Sequence, residues 1–167
     1  MSGQIPQDVL FDPKAADWRG VNLKLISVRL IVIGLWFGLP VLGGLIVFLI
    51  FRHWWIAVPI AVWALLGLWT VALNGRRVRA IGYLERTDDL LIRKGVVFRE
   101  LKVIPYGRLQ YLDVTAGPLD RAFGLAKLDL KTAAGALYAD LPGLDPAEAA
   151  RLRDRLSELG NARMAGL

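Results

Sequence analysis

Two uncharged apolar runs, residues 30–51 and 54–73, stand almost back to back, separated only by Arg52 and His53. A helix of about 20 apolar residues crosses the roughly 30 Å hydrocarbon core of a bilayer, and each run meets that length. Lipid offers no partner to a free backbone N–H or C=O, so a helix is the expected form of both. The pattern predicts a transmembrane hairpin over residues 25–75, with helices at about 26–51 and 54–74. A polar domain follows at residues 76–160. The segments outside these, residues 1–24 and 161–167, are expected to be a flexible N-terminal tail and a fraying C-terminal one.

Composition agrees with this division. The hydrophobic fraction of 55% and mean hydropathy of +0.44 are high, and the excess lies in residues 30–73. There is no cysteine, which excludes disulfides, thiolate catalysis and Cys-held zinc or iron–sulfur centres. The first run is expected to stay in the chain as an anchor. It lies behind Asp8, Asp12, Pro13 and Asp17, and it exceeds the roughly 7–15 apolar residues of a signal peptide.

Basic residues set the orientation. Lys14, Arg19, Lys24 and Arg29 precede the first helix, Arg76, Arg77 and Arg79 follow the second, and the turn between them holds Arg52. Lys and Arg are retained on the cytoplasmic side, so both termini are expected there, in a multi-pass protein of the cell membrane. Trp54 and Trp55 suit an outer interfacial belt and Trp18 an inner one. Within the first helix Gly34, Gly38, Gly43 and Gly44 make a thin side. It can pack on Ala57, Ala61 and Ala64 of the second helix or on another protein. Neither run carries an ionisable residue, which argues against a channel or transporter acting alone.

From residue 78 the period changes. Lys127-Leu128-Asp129-Leu130-Lys131 alternates as a strand with one buried face. Similar runs at residues 78–85, 90–93, 97–104, 109–115 and 136–141 are separated by turn signals such as Lys94-Gly95 and Ala116-Gly117-Pro118. Six strands of this kind predict an antiparallel sandwich or barrel. A C-terminal helix closes it, with Asp145 as N-cap, Pro146 in the first turn and Glu148 completing a capping box. Ala149, Leu152, Leu156 and Leu159 form its apolar stripe, and Gly160 is the expected stop.

The segment Ile104-Pro105-Tyr106-Gly107-Arg108-Leu109-Gln110 and the segment Gly117-Pro118-Leu119-Asp120-Arg121-Ala122-Phe123-Gly124-Leu125-Ala126 resemble the signature of a bacterial PH-domain family, DUF304 or bPH2. With the preceding helix pair, the chain is similar to the small two-helix, one-PH members called YdbS-like. The resemblance covers residues 20–142. It implies an α+β membrane protein, a helical hairpin followed by a cytoplasmic PH-like antiparallel sandwich or barrel capped by a helix. It also implies a partner among membrane proteins, since such members often occur beside a neighbour with several PH-like domains. Relatives of the fold that bind phosphoinositides use a basic first loop. Here that loop is Arg86-Thr87-Asp88-Asp89, and the next offers Arg93, Lys94 and Arg99, so no converging phosphate cradle is expected.

The signature residues themselves read mainly as turn and packing chemistry. The functional alternative makes Arg108, Gln110, Arg121 and Phe123 a partner-binding edge. No catalytic set assembles: the one histidine, His53, falls in the outer turn, and no cofactor or metal motif is present. The net charge of +6 owes much to Lys24, Arg29, Arg76, Arg77 and Arg79 beside the membrane, which attract anionic lipids, so nucleic acid is not expected as a partner. The expected function is therefore a non-catalytic, membrane-anchored interaction module, an accessory or scaffold subunit of a membrane complex or a homo-oligomer. The alternative is a sensor of anionic lipid or envelope stress.

Overall fold

The computed structural model describes residues 18–132 and 138–165. The first apolar run is one helix, Lys24–Phe51, and the second is Trp54–Arg79. Both turn apolar side chains outward, among them Leu35, Trp36, Leu49, Leu65 and Trp69, as lipid-facing helices do. A π-helical turn, Gly34–Gly38, widens the first helix just ahead of Pro40. Proline lacks the N–H for the carbonyl four residues back and its ring crowds that carbonyl, a misfit that a wider turn relieves.

The helices meet along a seam that differs from the expected one. The Phe37 ring lies 5.1 Å from that of Trp63. It also covers Gly67, where an added Cβ would come within 3.0 Å of the Phe37 Cβ. Ile60 covers Gly44 in the same way, at 2.8 Å, whereas at Gly34, Gly38 and Gly43 a Cβ would meet nothing within 4 Å. The thin side of the first helix thus contributes Gly44 alone to the hairpin. The second helix supplies the other notch, because the bulky ring of Phe37 needs a glycine opposite. At the domain end, the buried Asn74 amide donates to the Ile26 carbonyl at 3.0 Å.

Beyond the hairpin, strands β1 (Arg19–Gly20), β2 (Gly82–Glu85), β3 (Asp89–Lys94) and β4 (Glu100–Pro105) form one antiparallel sheet in that order. Strands β5 (Leu109–Thr115), β6 (Ala126–Thr132) and β7 (Tyr138–Leu144) form a second. The two sheets stay open and face each other as a sandwich rather than closing into a barrel. On β6 the alternation holds: Ala126, Leu128 and Leu130 are buried, and Lys127 and Asp129 point away. The Pro146–Ala165 helix covers the end of the sandwich with Ala149, Leu152 and Leu156. It runs past Gly160, the expected stop. That glycine is instead a contact point, with the Tyr106 carbonyl 3.4 Å from where a Cβ would stand.

One core joins domain and hairpin. Val21 just ahead of the first helix, Leu25 and Val28 in its first turns, Val78 in the last turn of the second and Ile81 just past it belong to the same buried cluster as Leu90, Ile104, Leu128 and Leu141. The helix of 28 residues is about 42 Å long, against roughly 30 Å of hydrocarbon. Its surplus turns leave the lipid and need apolar cover, which the sandwich provides. Leu25 rests on Gly143, whose φ of +76° suits glycine and whose missing Cβ makes the room. The Asn22 N–H donates to the Gly143 carbonyl at 2.7 Å. Two expectations change as a result. Residues 78 and 79, expected to open a strand, finish the second helix, and residues 18–24, expected to be tail, carry β1 and the first core position. The rest of that tail, residues 1–17, and the C-terminal residues 166–167 lie outside the described residues.

A polar clamp fastens the C-terminal helix to β2. The Tyr83 hydroxyl donates to Glu148 at 2.6 Å, and Arg151 donates to both Glu148 at 2.7 Å and Glu85 at 2.6 Å. Glu148, expected to complete a capping box, takes part in this clamp. Chiefly through the Arg151 hydrogen bonds, its carboxyl is held at about 2, from an ordinary 4.5. A carboxyl depressed on folding contributes stability above its unfolded value and loses it as pH falls toward the folded one. The urea midpoint of the micelle-held protein is therefore expected to fall between about pH 4.5 and 2. The Glu148→Gln variant should start lower by about 1–2 kcal/mol after solvent screening, and lack that component of the fall. Identical pH profiles for the two proteins would remove the clamp from the stability account.

Candidate functional site

The second span ends in Arg76, Arg77 and Arg79, and positions three apart share one helix face. Arg76 and Arg79 therefore point together off that end. Strand β3 ends in Arg93 and Lys94, a tight turn follows at Gly95, and Arg99 leads into β4. These five cations converge on one cavity of about 350 Å³ at the junction of hairpin and domain. Arg29 and Arg77 line a second, of about 290 Å³, on the other side of the same turn.

Each side of the site has a mechanical reason for its place. The Arg93 guanidinium lies 4.6 Å over the Trp18 ring, a cation–π contact that fixes it toward β2. Trp18, expected as an interfacial belt residue, is the platform for that contact. Lys94 is paired with Asp140 at 2.5 Å, so its charge is partly answered within the protein. Burial alone raises the Asp140 carboxyl, yet the Lys94 ammonium more than offsets it and leaves the group below its ordinary range. Crowded like charges at the edge of a low-dielectric slab create a strong positive potential, suited to an anion. The spacing of Arg93, Lys94 and Arg99 predicts no converging cradle; in the structure the three line one cavity, Arg93 held on Trp18 and Lys94 on Asp140. Arg76 and Arg79 reach the same cavity from a distant part of the chain.

The residues proposed as a partner-binding edge are not brought together. Arg108 and Gln110 lie at the start of β5, Gln110 in a bulge of the pairing with β6. Arg121 and Phe123 lie beyond its far end, about 20 Å away along a seven-residue strand. The Arg121 Nε donates to the Ala116 carbonyl at 3.1 Å, and Phe123 packs partly buried against the core. The Asp120 carboxylate accepts from the Gly117 N–H at 3.2 Å. These contacts give the Gly117–Ala126 signature a structural role. Gln110, with Tyr111, Leu156 and Ser157, does line a shallow groove of about 300 Å³ between β5 and the C-terminal helix.

Sequence reasoning missed Asn74, although a lone amide ending an apolar helix is a visible signal of an interhelical pin. It saw all five cavity cations, but as two unrelated groups, because nothing local links residues 76–79 to residues 93–99.

The comparisons agree with this architecture. The family model described as "Bacterial PH domain" matches residues 22–160, which takes in both spans and strands β2 to β7. The UPF0699 transmembrane protein YdbS of Bacillus subtilis (strain 168) is 32% identical over 111 residues, covering 64% of this chain and 69% of that protein. No solved structure matches. The chain belongs to the bacterial PH domain family.

Proposed function

We propose that this member of the bacterial PH domain family is a non-catalytic module that engages anionic lipid headgroups beside its own membrane anchor. The observation that carries this is the convergence of Arg76, Arg79, Arg93, Lys94 and Arg99 on one cavity where the spans leave the lipid. A phosphate-bearing headgroup is the anion present at that level in high local concentration. The basic residues flanking both helix ends support cytoplasmic termini and hence the cytoplasmic leaflet. The non-catalytic character is supported by the role of the acidic turn. Arg86 clamps Asp89 through two hydrogen bonds, 2.7 and 2.6 Å, so this carboxylate works as a turn fastener rather than as an acid or base.

The test is native mass spectrometry of the full chain released from micelles containing phosphatidylglycerol or phosphatidylcholine. The wild type is expected to retain phosphatidylglycerol preferentially. Replacing Arg76, Arg79 and Arg99 by Gln should weaken that retention by about 3 kcal/mol, roughly a hundredfold. Equal retention of the two lipids by the wild type sinks the proposal.

A second reading, an accessory subunit docking a protein, is favoured by the groove between the exposed edge β5 and the C-terminal helix. The same spectra of protein extracted from its native membrane test it. A stoichiometric protein partner supports that reading, and a solitary chain counts against it.

A further inference from the structure

Val97 and Phe98, at the tip of the β3–β4 loop, are 73% and 90% exposed. Among the described residues no apolar side chain of the two lipid-facing spans is as open as Phe98. The loop is built to hold them out. Gly95 has φ +93°, and the backbone doubles back so closely that a Cβ there would lie 1.8 Å from the Phe98 carbonyl oxygen. No side chain fits at 95, so this turn, which presents the tip outward, requires glycine there.

The position of the tip says what covers it. Val97 and Phe98 share a cavity with Arg29, Arg77 and Ile81. Arg29 directly precedes the uncharged run, and Arg77 lies four residues past the end of the other. These two arginines mark the depth at which both helices leave hydrocarbon for headgroups. Arg93, Lys94 (paired with Asp140) and Arg99 flank the tip, and the nearest carboxylate along the chain, Glu100, is paired with Lys102 at 3.3 Å. An apolar tip ringed by cations at headgroup depth has the chemistry of an element that lies in the interface.

We infer that the Val97–Phe98 tip inserts into the interfacial zone of the leaflet on the domain side, a third point of membrane contact beside the two spans. The inference rests on the same basic face as the headgroup reading and adds the bilayer itself as the ligand of the loop. The domain is thereby seated on the surface at two separated places, and headgroups beneath it are held between the helix end and the loop.

The chain has no cysteine, so Phe98→Cys creates a single site for a nitroxide label. Phe98 takes no part in the core, and its replacement leaves the fold intact. The full-length labelled protein is reconstituted in vesicles of phosphatidylcholine, with and without phosphatidylglycerol. Power saturation then compares collisions with oxygen, which partitions into lipid, and with a nickel chelate, which stays in water. A Thr87→Cys label, in the exposed turn at the opposite end of β3, is the aqueous reference. The expected result is a several-fold higher oxygen-to-nickel ratio at 98 than at 87. A tip label as open to nickel as the reference overturns the inference. So does a label shielded from both reagents with spin–spin broadening, which would place the tip against a second copy. Insertion in both lipids without phosphatidylglycerol preference leaves the inference standing and removes the headgroup reading. Retained preference with a water-exposed tip does the reverse.

Discussion

A fragment beginning at residue 76 is expected not to fold, although it holds six of the seven strands and the C-terminal helix. It lacks Val21, Leu25 and Val28, all buried in the core, and the β1 segment that pairs with β2. Burying a side chain of this size is worth about 1.5–3 kcal/mol. Three of them therefore approach the roughly 5–15 kcal/mol by which a whole domain is stable. Leu25 also fills the hollow over Gly143, so its removal opens a cavity as well as losing contact. The fragment should bind a hydrophobic dye, keep far-ultraviolet dichroism and show no cooperative urea transition. A sharp transition would mean that the sandwich is complete without the hairpin.

Replacing Tyr106 by Ala should cost about 3–5 kcal/mol, as truncations of buried aromatics do. Tyr106 is fully buried where β4 turns into β5, and its hydroxyl donates to the Arg86 carbonyl at 2.8 Å. Its N–H donates to the Asp88 carbonyl at 3.2 Å, and the C-terminal helix rests on its own carbonyl through Gly160. One residue thus ties a turn, two strands and a helix. Burial pushes its hydroxyl up to about 12, so it stays protonated and donating. Tyr106→Phe keeps the ring and loses one hydrogen bond, for about 1 kcal/mol. Urea midpoints of the two variants in micelles separate these terms. Equal, small losses would show that the ring is dispensable.

Within the signature Ile104-Pro105-Tyr106-Gly107-Arg108-Leu109-Gln110, the exposed polar residues Arg108 and Gln110 drew attention, while the energetic weight sits on Tyr106. A tyrosine in a turn gives no local sign of whether it faces in or out; the sandwich decides. The helices show the same limit. Apolar length alone predicts two spans, because lipid requires it of any chain. Where the seam runs is a question of shape between Phe37 and Gly67, residues 30 apart, and of the four glycines of the first helix it takes in Gly44.

The sequence by itself determined what is periodic and local: two membrane helices joined by a tight turn, the alternating strands, the amphipathic closing helix and the family signature. These follow from backbone satisfaction in lipid and from side-chain period, which neighbouring residues carry in full. Only the tertiary structure decided that the first helix begins inside the core of the domain, and that residues 76–79 and 93–99 close around one cavity. It also set the apolar loop tip level with the helix ends. Each of these joins segments remote in sequence, and such a juxtaposition exists only once the sandwich has packed against the turns of helix that the bilayer leaves uncovered.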